Sequence, residues 1–67
     1  MIKFAERLRK ARQKKSISQE HLAYLLEVDQ KSVSRWENDD SETSFDNLYK
    51  LSQVLECSVL YLLGLED

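Results

Sequence analysis

The sequence predicts an all-α domain of five short helices, and three observations predict it. One glycine and no proline stand among 67 residues, which leaves almost no punctuation for tight hairpins. Apolar residues recur at helical spacing from end to end. Serine or aspartate stands just ahead of most of these runs, where a side-chain oxygen can hold the first free N–H groups of a helix. The length fits one domain over residues 1–67. Its core is thin, because a chain of this size buries only about 60% of its unfolded surface.

Phe4, Leu8 and Ala11, flanked by Ile2 and Ala5, give a first amphipathic helix whose other face is Arg and Lys. Ser16 and Ser18 interrupt it. Ser18 caps a second helix, with Glu20 in its first turn and Leu22, Ala23, Leu25 and Leu26 as its expected buried stripe. That helix should end near Glu27. Asp29 caps a third, from Gln30 to near Asn38, buried through Val33 and Trp36. Residues 38–44 carry no large apolar side chain and read as a loop. Ser44 caps a fourth helix with a stripe of Phe45, Leu48, Leu51 and Leu55. Ser58 caps a short fifth helix over 59–63, and Gly64 is placed to stop it in the left-handed conformation.

The net charge of −2 speaks at face value against a nucleic-acid partner, but the charge is bipolar. Residues 1–20 hold seven Lys and Arg against two acids, whereas 39–67 hold Lys50 alone against seven acids. Where each pole sits in the fold decides the partner, and the total does not. No run of about 18 apolar residues, no signal-peptide pattern and no lipidation box is present, so the chain reads as cytoplasmic with no membrane role. A single Cys excludes an internal disulfide and a cysteine zinc cluster, and neither metal nor cofactor is expected. With one His, one Cys and no Gly-rich phosphate loop, no catalytic constellation assembles at ordinary spacing, so an enzyme is not expected.

The informative stretch runs from Ser18 to Asn38. Two helices meeting steeply across a short turn need a small residue at the crossing and apolar residues in the angle between them. Ala23 supplies the first, and Leu22, Leu26, Val28, Val33 and Trp36 the second. With Val33 and Trp36 turned inward, Lys31, Ser34, Arg35 and Asn38 point away, and Gln30 lies on the flank of the first turn. Amides, hydroxyls and cations are the groups that bond base edges in a DNA groove, and they are also what a solvated helix face carries.

From Phe4 to Leu63 the chain resembles the lambda-repressor-like, Cro/XRE-type DNA-binding domains. The matching residues are the basic first helix ending in Arg12, the ISQEHLA segment, the VSRWEN run, SFDNLYKLSQVL and the closing SVLYLLG. The resemblance implies a five-helix lambda-repressor-like fold with helices 2 and 3 as the helix-turn-helix and helix 3 in the major groove. It also implies a transcriptional regulator of bacterial or phage repressor type. Such a regulator binds double-stranded DNA at a palindromic operator as a homodimer. Carried over by position, Gln19 would bond a phosphate and steady Gln30. Gln30, Lys31, Ser34 and Arg35 would face bases or nearby phosphates, and Asn38 the backbone. Lys14 and Lys15, near the start of helix 2, are the remaining cations expected to meet DNA. Arg12 and Glu37 match an internal salt bridge between helices 1 and 3, and Glu37 lies on the inner side of helix 3, where an unpaired carboxylate is costly.

Three positions depart from the family pattern. Glu27 stands where the turn after helix 2 usually has glycine. Asp39, Asp40 and Glu42 occupy a loop that is usually basic and runs beside phosphates, which should weaken DNA binding. Leu60 replaces a commonly acidic residue, and with Tyr61 and Leu65 it makes an apolar end where such domains often pair about a two-fold axis. The acidic loop motivates the alternative reading, a helix-turn-helix scaffold for protein–protein interaction, antitoxin- or antirepressor-like, with weak DNA binding. His21 is expected at the surface and Cys57, at the junction of helices 4 and 5, as a small buried apolar side chain.

Overall fold

The computed structural model describes residues 3–67 and is all-helical there, with α1 Phe4–Lys14, α2 Gln19–Leu26, α3 Gln30–Glu37, α4 Phe45–Leu55 and α5 Val59–Leu62. Ile2, expected to flank the first stripe, lies outside the described residues. Four helix starts are held as their sequences require. Ser18 Oγ accepts from the His21 N–H at 2.9 Å, Asp29 Oδ1 from Lys31 at 2.9 Å, Ser44 Oγ from Asn47 at 3.1 Å and Ser58 Oγ from Tyr61 at 2.9 Å. Each bond satisfies a donor that the helix itself cannot.

The helix ends share one device. Ser16, Glu27, Asp39, Glu56 and Gly64 all have positive φ, between 53° and 77°, in the left-handed region. In each case the next residue donates its N–H five residues back: Ile17 to Arg12, Val28 to Ala23, Asp40 to Arg35, Cys57 to Ser52 and Leu65 to Leu60. This is the Schellman closure, and only one of the five sites carries the glycine that adopts it without strain.

The core is one cluster with a contribution from every helix. Phe4, Leu8 and Ala11 come from α1, Leu22, Ala23 and Leu26 from α2, and Val33 and Trp36 from α3. Leu48, Leu51 and Leu55 of α4 and Leu62 of α5 complete it. The Phe4 and Trp36 rings meet at 6.5 Å between centroids, tilted by 59°.

Two expected core residues are outside. Leu25 is 43% exposed because it sits roughly 100° from the centre of the stripe made by Leu22, Ala23 and Leu26. Phe45 keeps the spacing of its stripe yet is 74% exposed. It is the first residue of α4, so its side chain leans back past the start of the helix, where the loop offers nothing apolar to cover it.

Candidate nucleic-acid interface

Asp29 starts α3, and Val33 and Trp36 fasten its inner face to the core, which fixes the outer face by helical geometry alone. Gln30, Lys31, Arg35 and Asn38 are exposed, and Ser34 is half-buried. Asn38 Nδ2 reaches Ser34 Oγ at 3.5 Å, so these two polar groups lie together one turn apart. The face therefore carries an amide and a cation at its start, a hydroxyl at its middle and a guanidinium and amide toward its end.

Behind this face lies a buried carboxylate. Glu37, 2% exposed, accepts from Arg12 twice: Nε to Oε2 at 2.6 Å and Nη2 to Oε1 at 3.0 Å. Gln19 Nε2 donates to Oε1 at 3.1 Å, and Arg9 Nε stands 3.8 Å from the same oxygen. A second Arg9 nitrogen donates to the backbone carbonyl of Glu37, one of the last carbonyls of α3, which have no partner within the helix. Arg12 also donates to the Ile17 carbonyl at 2.9 Å, and its bond to Glu37 raises the guanidinium pKa. Glu37 of α3 thus holds α1 through Arg12 and the start of α2 through Gln19.

Gln19 is therefore not bonded to Gln30, the residue it was expected to steady. Its amide is engaged inward, on Glu37. Lys14 is exposed at the end of α1. Lys15, expected beside DNA, turns the other way and pairs with Glu56 at the end of α4, which holds that carboxyl below its ordinary range. Tyr61, expected at a dimer surface, faces α1: its ring lies 4.4 Å below the Arg7 guanidinium and its carbonyl accepts from Arg7 Nη1 at 3.0 Å. Leu60 and Leu65 are 50% and 69% exposed.

Two arginines escaped the sequence reading. Arg7 falls among the Arg and Lys expected on the face of the first helix away from the core, but it is buried, bonding the Glu66 carbonyl at 2.7 Å and approaching the Asp67 carboxylate at 3.7 Å. Its position three residues after Phe4 and four before Ala11 puts it on the buried stripe of α1, a signal that its charge masked. Arg9 lies one turn before Arg12, and nothing in its own neighbourhood of the sequence marks it. Among the described residues no group of three or more His, Cys, Asp and Glu could hold a metal, and no helix is long and apolar enough to cross a membrane.

A fold of five helices with a buried carboxylate bracing a polar recognition face defines a class of helix-turn-helix domain. Residues 8–62 match the model of the helix-turn-helix family, and the chain belongs to that family, in its lambda-repressor-like, Cro/XRE branch. It is 42% identical over 67 residues to the HTH-type transcriptional regulator DicA of Escherichia coli (strain K12), covering 98% of this chain and 50% of that protein. It is 40% identical over 58 residues to the repressor protein C2 of Salmonella phage P22, covering 87% of this chain and 27% of that one. The chain thus spans half or less of these relatives. The fold is similar to the P22 c2 repressor in complex with a synthetic operator (TM-score 0.88, 36% identity, 94% of this chain and 96% of that one). It is also similar to the restriction-modification controller protein C.AhdI of Aeromonas hydrophila, with a TM-score of 0.82, 37% identity and coverage of 90% and 87%.

Proposed function

We propose that the chain is a cytoplasmic, sequence-specific regulator of transcription, of repressor type, that binds double-stranded DNA with α3 in the major groove. The observation that carries this reading is the outer face of α3. Gln30, Lys31 and Arg35 stand exposed on a helix that the Glu37 cluster ties to α1 and α2. Gln suits adenine and Arg suits guanine as bidentate partners, and a rigidly held short helix is what a groove admits. The names of the relatives, transcriptional regulators and repressors, support it, as does the likeness to a repressor solved on an operator.

A homodimer on a palindromic operator follows from the same reading. Leu60 and Leu65 offer apolar surface at the α5 end, and a two-fold pair would set its recognition helices about 34 Å apart. Lys14, Asn38 and Gln19 would add contacts to the backbone. Lys15 and Tyr61 are left out of this assignment, since each is engaged within the domain.

One observation favours a second reading. Asp39 and Asp40 stand just past Asn38, the cap of α3, and are exposed, and Phe45 and Tyr49 are 74% and 59% exposed on α4. A helix-turn-helix scaffold for protein contacts would make use of that surface. Selection from a random-sequence duplex pool at several salt concentrations separates the two. Enrichment of an inverted repeat, lost in Gln30→Ala or Arg35→Ala, supports the regulator; no enrichment even at low salt and high protein concentration overturns it.

A further inference from the structure

We infer that the cleft between α1 and the α4–α5 junction is a binding site for a small zwitterion with an apolar body, an amino acid or dipeptide in its chemistry. The cleft holds about 710 Å³, inside the range of roughly 300–1,000 Å³ that small-molecule sites occupy. Its lining comes from the end of α1, the end of α4, α5 and the last residues of the chain, with nothing from α2 or α3. The site is therefore apart from the outer face of α3, and only Lys14 among its residues is also assigned to DNA above.

Helical spacing builds the basic wall. Lys10 and Lys14, and Ala11 and Lys15, are four residues apart at the end of α1, so all four share one side of the helix. Cys57 and Tyr61, both half-buried, add apolar surface from the other elements. Glu56, Glu66 and Asp67 line the cleft as well, so three ammonium groups meet three carboxylates. A simple anion or a simple cation would find a like charge facing it. Most of these charges are already answered. Lys10 pairs at 3.1 Å with Glu6, which lies outside the cleft; Lys15 pairs with Glu56; and Asp67 faces Arg7 at 3.7 Å.

Two charges are left. Among the described residues Lys14 has no acidic partner, and the Glu66 carboxylate has only the Ser58 hydroxyl, which donates to it without carrying a charge. One open cation on α1 and one open anion on the tail complement a ligand with a carboxylate at one end and an ammonium at the other. Each end then makes a charge-assisted hydrogen bond, and the apolar middle lies against Cys57 and Tyr61.

The test is run on the labelled free protein, so its outcome does not depend on the DNA reading. Alanylleucine is titrated in three forms: with both ends free, N-acetylated, and as the C-terminal amide. The free-ended form is expected to give saturable amide shifts at Lys14, Cys57, Tyr61 and Glu66. Removing either charge of the ligand is expected to weaken binding about fivefold. Lys14→Gln should weaken the free-ended and acetylated forms by that factor and leave the amide form unchanged. Glu66→Gln should weaken the free-ended and amide forms and leave the acetylated form unchanged. Both residues are exposed, and Trp36 fluorescence in a urea titration checks that both variants stay folded. Leucine is titrated alongside, and tighter binding by either compound names the source within the same chemistry. Equal affinity for all three forms, the same loss for every form in both variants, shifts confined to other surfaces, or no saturation at millimolar concentration overturns the inference.

Discussion

Arg12 and Glu37, twenty-five positions apart, form a two-pronged ion pair in which the carboxylate is 2% exposed and the guanidinium side chain 14%. Removing one partner of such a pair leaves the other charge buried without compensation, at about 3–5 kcal/mol, whereas replacing both with apolar residues is close to neutral. Arg12→Met and Glu37→Leu should each lower the urea midpoint sharply, and the double variant should recover much of the loss. Fluorescence of Trp36, the only tryptophan and itself in the core, reads all three. Additive effects would mean the two side chains are not coupled.

Arg7 stitches the end of the chain to α1. It bonds the carbonyls of Tyr61 and Glu66 and lies over the Tyr61 ring. Arg7→Met keeps much of the aliphatic packing but leaves the Glu66 carbonyl without its donor and the Tyr61 carbonyl with the Gly64 N–H alone, so a loss of about 1–2 kcal/mol is expected. Amide hydrogen exchange should speed up in α5 and residues 63–67 more than in α2 and α3. Uniform acceleration across the domain would contradict a local clamp.

Two turn residues should respond in opposite directions. Glu27 has φ 59° at the end of α2, where a side chain costs about 1 kcal/mol that glycine avoids, partly offset by the freedom glycine gains in the unfolded chain. Glu27→Gly should hold or raise Tm by a few degrees. Gly64 has φ 77°, and a Cβ there would stand 2.7 Å from Cβ of Lys3, so Gly64→Ala should lower Tm by about 4–8 °C for each kcal/mol lost. Differential scanning calorimetry on both variants checks the pair of signs.

Burial pushes the Cys57 thiol above its ordinary range. A thiol whose folded pKa is raised gives its stabilisation below the unfolded value, and that contribution fades as pH climbs through the folded value. Stability should therefore decline with this group on the alkaline side, with no effect from it at neutral pH. Alkylation at pH 8 should be slower in the folded chain than in urea, because less thiolate is present. Equal rates would mean the side chain is open to solvent.

How far the sequence revealed the fold depended on how local each signal was. Ser18, Asp29, Ser44 and Ser58 act on donors two or three residues away, and each capped its helix where expected. Buried stripes were legible in helix interiors and failed at Leu25 and Phe45, where the flank or first turn of a helix runs past its neighbours. Charged residues were hardest to place, because their partners are distant in sequence. Arg7 meets residues 61–67, Arg9 meets Glu37 and Lys15 meets Glu56, and spacing along one helix cannot announce such partners. The exposed face of α3 was legible because it follows from the helix period once Val33 and Trp36 are inside.

The claim that α3 is the reading surface is tested most directly by mapping backbone amide shifts while a duplex selected from the pool is added to the labelled protein. The account predicts the largest changes at Gln19 and from Gln30 to Asn38, disappearing as salt is raised because the phosphate contacts release counterions. Changes centred on Phe45 and Tyr49, or on α5 with α3 unmoved, would contradict it.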